Sequence, residues 1–366
     1  MGWTPRSRVH PGRARWGRQA PCELRAYRTP EWSQVLAGRI LAVVLRWRGL
    51  EEVPADWGRC VVTIGVFDGV HRGHAQLIDT ATRIAKQRGL PAVLMTFDPH
   101  PVEVLRPGSH PPQLTTLARR AELAEEMGID VFCVMPFTPA LAAYSPKDFA
   151  HQMLVERLHA AEVVVGENFT FGKKAAGTVD TLRQLGERFG FGVEGVKLVG
   201  ESPDTDRSVT FSSTYIRSCV DAGDMTAAAE ALGRPHRVEG VVVRGDGRGR
   251  ELGYPTANLA PPMYSAVPAD GVYAAWFRVL GAGPTVGEVI SGESYQAAVS
   301  VGTNPTFFGR ARTIEAFVLD THADLYGQHV AVDFVHRIRG MVKFDSIQEL
   351  TDAIADDVEQ TRSILA

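Results

Sequence analysis

The sequence predicts two modules in tandem: an α/β module on a doubly wound parallel sheet, then an antiparallel β-barrel with a C-terminal helix. Three observations predict this. Up to about residue 232, short apolar runs alternate with helical patterns. Beyond it, strand-like runs follow one another with only Gly/Pro/Asn turns between them. The length of 366 residues is that of about two domains.

The elements follow in order. Cys60-Val-Val-Thr-Ile-Gly-Val-Phe67 is a β-branched apolar run, the mark of a strand buried on both faces, and it ends in the turn signal Asp68-Gly69. A helix follows His71-Arg-Gly-His74, with apolar positions 75, 77, 78, 81, 84 and 85 and a stop at Gly89. Pro91–Phe97 is a second strand. A helix (116–127), a strand (129–135), a helix (146–158) and a strand (162–166) complete the alternation, and short helices occupy 214–221 and 225–232. Strands are then expected at 237–243, 271–279, 295–301, 313–319 and 329–336. A last helix at 346–364, apolar at 347, 350, 354, 358 and 364, would cap the barrel. The expected divisions are 1–43, 44–232 and 233–366.

Composition narrows the function. Apolar residues make up 45%, charged residues 22%, and the net charge is −3, which gives no bulk electrostatic case for a nucleic-acid or membrane binder. No apolar run approaches the ~18 residues of a membrane span. Cys22, Cys60, Cys133 and Cys219 form no Cys-x-x-Cys pair, which argues against a cysteine zinc site or a disulfide scaffold and for a reducing cytoplasm. Charge is unevenly spread: residues 1–43 hold eight arginines against Glu23 and Glu31. This Pro/Gly/Arg-rich stretch shows no helical or alternating period and is expected to be poorly ordered. It is compatible with a transit peptide, a basic arm, or an untranslated extension ahead of a start at Val43 or Val44; the last is preferred.

Several residues point to chemistry. In doubly wound sheets ligands sit beyond the carboxyl ends of the strands, where Phe67-Asp68, Phe97-Asp98 and Gly166-Glu-Asn168 fall. His71 and His74 lack a third ligand at metal spacing; as imidazole donors beside helix N-terminal amides they suit a polyphosphate, with plain surface residues as the alternative. Gly65, Gly69 and Gly73 allow backbone to approach a ligand. In Phe211-Ser-Ser-Thr-Tyr-Ile-Arg217, Ser213 or Thr214 is expected to cap the next helix, with Arg217 in its first turn as an anion fork. The glycine-rich stretch Gly245–Asn258 lacks the ending of a P-loop, yet its amides can wrap phosphates. Thr256 and Asn258 place two neutral oxygens on one face of an extended chain, a donor set suited to Mg²⁺ with substrate phosphates. Glu315 stands in a strand that reads apolar on both faces, where desolvation would raise its pKa and make it a base; a salt-bridged structural Glu is the alternative.

Four of these segments resemble the nucleotidyltransferase module of bacterial bifunctional riboflavin kinase/FAD synthetases. They are Gly65-Val-Phe-Asp-Gly-Val-His-Arg-Gly-His74, Thr96-Phe-Asp-Pro-His-Pro101, Val164-Val-Gly-Glu-Asn-Phe-Thr-Phe-Gly172 and Ser212-Ser-Thr-Tyr-Ile-Arg217. Gly253-Tyr-Pro-Thr-Ala-Asn-Leu259, Ser300-Val-Gly-Thr-Asn-Pro-Thr-Phe307 and Ile314-Glu-Ala-Phe-Val-Leu-Asp320 resemble the riboflavin kinase module of the same family. The resemblance spans about 45–366. It implies FMN formation from riboflavin and ATP in the barrel, and FAD plus pyrophosphate from FMN and ATP in the α/β module.

The roles it implies are these. His71 and His74 act on the ATP phosphates, with Gly65, Phe67, Asp68, Gly73, Ser213, Thr214 and Arg217 around them. Asp98 and Asn168 lie on the flavin side. Thr256 and Asn258 hold Mg²⁺-ATP, Gly245, Gly247 and Gly249 cover the nucleotide, and Asn304 and Pro305 in the 302–308 turn lie near the flavin. Glu315 is the base for the ribityl 5′-hydroxyl. Lys173 and Lys174 are phosphate contacts or a solvated pair. The implied partners are small molecules, with neither nucleic acid nor membrane; a homo-oligomer remains open.

Overall fold

Parallel strands buried on both faces need helices above and below, and the first half of the chain is built that way. The computed structural model describes residues 44–197, 211–245, 248–281, 286–306 and 309–366. The expectations for 1–43, Gly247 and the side chains of Asn304 and Pro305 lie outside the described residues. Six parallel strands form one sheet: β1 (Leu45–Arg48), β2 (Cys60–Ile64), β3 (Ala92–Asp98), β4 (Val131–Pro136), β5 (Ala160–Gly166) and β6 (Gly192–Val196). Their order is β1-β4-β3-β2-β5-β6, so the winding reverses between β2 and β5. Both of these strands are fully buried.

Helix α1 (Arg72–Arg88) buries Leu77, Ile78, Ala81 and Ala85 and ends at Gly89, whose left-handed φ of 65° lets its N–H reach the last carbonyls. Helix α2 (Leu117–Glu126) precedes β4 and α3 (Val179–Phe189) precedes β6. The expected helix at 146–158 is a short α-turn, Pro146–Phe149, followed by wider π-type turns over Ala150–Val155. Strand β1, α3 and β6 were absent from the sequence reading. The first is four residues long with the mixed exposure of a sheet edge, and β6, Gly-Val-Glu-Gly-Val, carries two glycines that mask a strand.

Two helices, α4 (Ser213–Ala222) and α5 (Met225–Leu232), lead into the second half. There β7 (His236–Val243), β8 (Ala257–Ala260), β9 (Gly271–Val279), β11 (Ser294–Thr306), β12 (Gly309–Val318) and β14 (His329–Arg339) close a barrel in the order β11-β12-β8-β7-β14-β9. The pairs β10 (Val286–Gly287) and β13 (Ala323–Asp324) form a small separate ladder. Period-2 alternation fills the interior: Ile314, Ala316 and Val318 from β12 meet Val299, Val301, Phe277, Val332 and Phe334. Ile216, Val220, Met225, Ala228 and Leu232 of α4 and α5 join this same apolar cluster. Residues 43–366 form one compact unit.

Two expectations need correction. The final helix α6 (Ile347–Ile364) lies against β9, β11 and β14, on the wall of the barrel. Its buried side chains are Asp357 and Thr361, while Ile347 is 71% exposed. Asp357 takes a bidentate pair from Arg339 at 2.8 and 2.7 Å, so the helix docks by an ion pair as much as by an apolar stripe. The expected 302–308 turn is extended through Thr306, because β11 pairs with β12 up to Thr306↔Gly309. Among the described residues no helix is long and apolar enough to cross a membrane.

Candidate functional site

The first constellation forms where β2 ends, beside the reversal of winding, the point at which open α/β sheets bind ligands. After Gly65 the chain makes a cramped turn in which Phe67, Gly69 and Val70 have φ of 53°, 86° and 41°. Such angles suit Gly69 but strain Phe67 and β-branched Val70, each at about 1–3 kcal/mol. The turn delivers His71 as the N-cap of α1, where its Nδ1 accepts the His74 N–H at 3.4 Å. That bond leaves Nε2–H as the His71 donor. The two imidazoles stack with centroids 3.6 Å apart, and Phe67 stands 5.1 Å from His74. A side chain at Gly73 would press on the His71 ring at 3.2 Å.

Burial pushes the His71 pKa down to about 4, partly opposed by Asp68. It drives His74 well below the ordinary value, helped by His71, Arg120 and Arg234. His100, the cap of the Pro101–Leu105 turn, is likewise lowered to about 4 by burial and Arg217. All three are therefore neutral near pH 7, and the positive field comes from arginine.

Asp68 organises that field. Its carboxylate is 2% exposed and accepts the N–H groups of Leu114 and Thr115 at 3.0 and 3.2 Å. It pairs with Arg217 at 2.6 Å and with buried Arg120 at 3.3 Å. Two guanidinium groups thus face one carboxylate, which leaves a net positive charge beside the α1 N-terminus. Arg217 also donates to the Pro112 carbonyl at 2.6 Å. Ser213 donates to the Asp68 carbonyl at 2.8 Å. The cap of α4 is Ser212, which accepts from Tyr215 N–H. This corrects the expected Ser213 or Thr214 cap: Ser213 is turned toward the turn and Thr214 is exposed. Arg217 falls one residue past the first turn of α4. Asp98 and Asn168 are exposed at the ends of β3 and β5, and Lys173 and Lys174 are exposed on a short 3₁₀ turn.

The second constellation lies on the outer face of the barrel. Ile314, Ala316 and Val318 point inward, so Glu315 between them points out and is half-buried. The premise of a Glu enclosed by apolar faces is corrected: only one face of β12 is core. Strand pairing sets Glu315 beside Asn258 on β8 and Ser300 on β11. Thr256 Oγ donates to Glu315 Oε2 at 3.4 Å, and among the described residues Glu315 has no ion-pair partner. A side chain at Gly245 would fall on the Asn258 amide and force it to move, so glycine lets the loop cross here with Asn258 in place. The loop is less open than expected. Arg248–Glu251 form a helical turn, and Tyr254 N–H is already bonded to the Gly249 carbonyl. Tyr254 and Phe317 meet edge to face at 5.3 Å on the same surface. Among the described residues no three His, Cys, Asp or Glu side chains converge as for a metal.

Two stretches of the chain match known families. The FAD synthetase family matches residues 53–214 and the riboflavin kinase family residues 232–365. The bifunctional riboflavin kinase/FMN adenylyltransferase of Bacillus subtilis is 34% identical over 312 residues, 84% of this chain and 93% of its own. The chain belongs to the bifunctional riboflavin kinase/FMN adenylyltransferase family. The Escherichia coli member is 34% identical over 308 residues, again 84% of this chain and 93% of its own. A solved Streptococcus pneumoniae structure described as a macrolide-efflux protein superposes with a TM-score of 0.76. It is 31% identical and covers 87% of this chain and 99% of its own.

Within this bifunctional family member, the fold brings together His71, His74, Asp68, Ser213 and Arg217 at one site and Thr256, Asn258, Glu315 and Gly245 at the other. It leaves Asp98 and Asn168 at the rim of the first. Arg120, 3% exposed and bonded to the Val66 carbonyl at 2.9 Å, was missed by the sequence reading. Its sequence signal was an Arg at a position whose neighbours Ala121 and Ala124 mark the buried face of α2.

Proposed function

We propose that the 233–366 barrel phosphorylates riboflavin and that the 44–232 module adenylylates the resulting FMN. In the first step Glu315 takes the ribityl 5′-hydroxyl proton, the hydroxyl oxygen bonds to the γ-phosphorus of ATP, and the bond to ADP breaks. In the second, an FMN phosphate oxygen bonds to the α-phosphorus of ATP and pyrophosphate leaves. Both steps ask the protein mainly for positioning and charge neutralisation.

The observation that carries the reading is that the two constellations sit on separate modules, each with the chemistry its step needs. At the first, neutral imidazoles donate hydrogen bonds from beside a helix N-terminus, and Arg217 supplies positive charge for the phosphates. We assign Asp68 to holding the two arginines, because its oxygens are already committed. At the second, a hydroxyl, an amide oxygen and a carboxylate share one face, a hard-oxygen set that fits Mg²⁺ arriving with ATP on Thr256 and Asn258. The ion would neutralise phosphate charge. Gly245 and Gly249 would cover the nucleotide, and Asn304 and Pro305 would lie near the flavin. Cys60, Cys133 and Cys219 are free thiols, which fits the cytoplasm we assign.

The test is to follow FMN and FAD separately by chromatography. Glu315→Gln should abolish FMN formation and spare FAD formation from supplied FMN, and His74→Ala should do the converse. One substitution that stops both activities in a folded protein would sink the two-site assignment.

A further inference from the structure

The strained turn at the first site is held in part from outside its own module. Three successive carbonyls, those of Asp68, Gly69 and Val70, are each bonded by a side chain from much later in the chain. Ser213 takes the first at 2.8 Å. Arg234 takes the other two, with Nη2 on Gly69 at 2.5 Å and Nη1 on Val70 at 3.0 Å. Its Nη1 also reaches the Leu232 carbonyl at 3.2 Å, which fixes the guanidinium to the end of α5. Arg234 forms no ion pair among the described residues; it lines a cavity of about 200 Å³ together with Arg119, Arg237, Arg278 and Asp333, whose carboxylate is taken by Arg237 at 2.6 Å. An arginine kept beside Arg119 and Arg237, where burial and these two lower its pKa to about 10 against the opposing pull of Glu126 and Asp333, is a poor choice for simple surface solubility.

We propose that Arg234 is a positioning residue for FAD formation: its planar fork holds the Gly69 and Val70 carbonyls so that the turn presents His71 and His74 to the substrate phosphates. The turn has three positive φ angles, two of them at residues that disfavour them. A backbone in that state relaxes unless its surroundings over-determine it. Remove the fork and Val70 is free to return toward an ordinary φ, which swings the N-cap His71 and unstacks the pair at 3.6 Å. A lysine keeps the charge but not the fork, so it cannot span both carbonyls in one plane. Arg234 stands two residues inside the 233–366 segment, so the first site is completed by a residue of the second module.

The inference rests on the assignment of His71 and His74 to FAD formation, and the experiment separates the two. Full-length wild type, Arg234→Ala, Arg234→Lys, Arg278→Ala and His74→Ala are assayed for FMN formation from riboflavin and for FAD formation from supplied FMN. Arg234→Ala should lower kcat for FAD formation at least tenfold with KM for ATP within about threefold, and leave FMN formation within twofold. Guanidinium chloride at tens of millimolar should recover a substantial part of that loss, and an equal concentration of urea should not. Arg278→Ala, a cavity arginine that does not touch the turn, should leave both activities unchanged. FAD formation within twofold of wild type in Arg234→Ala, or a loss that guanidinium does not recover, overturns the proposal. If Arg234→Ala does not fold, Arg234→Lys decides: a threefold or greater loss confined to FAD formation supports the fork, and wild-type FAD formation overturns it. Full FAD formation in His74→Ala would overturn the underlying site assignment instead.

Discussion

Acid should weaken this fold through its buried imidazoles, and the size of the His71 share follows from its burial. The His71 pKa falls from 6.5 to about 4 because its ring is enclosed between the 67–70 turn, the α1 N-terminus and the His74 ring. The unfolded chain takes up this proton near pH 6.5 and the folded chain only near pH 4. Stability from this group is therefore complete above pH 6.5, is lost as the pH falls, and stops changing below pH 4, where both states are protonated. At pH 5 the loss comes to about 2 kcal/mol, and over the whole window to about 3 kcal/mol. Urea unfolding of wild type and His71→Gln at pH 7.5 and pH 5.0 isolates it: the wild type should lose about 2 kcal/mol more than the variant. Equal losses in the two proteins, within about 0.5 kcal/mol, would refute the claim that His71 is held neutral by burial.

Three further outcomes are expected. Asp68→Asn removes the one carboxylate between Arg120 and Arg217 and leaves a buried guanidinium uncompensated. Thermal or urea unfolding should show a cost of about 3–5 kcal/mol, and a cost below about 1 kcal/mol would mean the arginines find other partners. Gly245→Ala should displace the Asn258 amide and cut FMN formation about tenfold while FAD formation from FMN is unchanged; an unaffected kinase rate would show that the loop has room to move. EDTA should stop FMN formation and added Mg²⁺ should restore it, whereas a full rate in EDTA would remove the metal from Thr256 and Asn258.

Much of this was legible in the sequence because the chemistry-bearing residues sit next to strong periodic elements. The apolar run from Cys60 and the helix after His74 fix the β2–α1 joint, and Asp98 and Asn168 fall at strand ends because the parallel sheet puts them there. What was not legible came from through-space partners. No spacing connects Asp68 to Arg120 or Arg217, 52 and 149 positions away, yet those pairs set the electrostatics of the first site. The cap of α4 was misplaced by one residue because Ser212, Ser213 and Thr214 are equally good caps in isolation. Tertiary contact with the Asp68 carbonyl decides among them. Glu315 was read as enclosed because alternation alone does not show which face of a barrel strand is core when both carry apolar residues.

The helices α4 and α5 share their buried side chains with the barrel, and this limits how the molecule can be divided. A gene split after residue 232 would give the first protein a raw face of Ile216, Val220, Met225, Ala228 and Leu232, sticky enough to aggregate. A split before 213 would instead carry Ser213 and Arg217 away with the kinase half. Either cut therefore costs the first half something: the later one bares apolar surface, and the earlier one removes two side chains that bond Asp68.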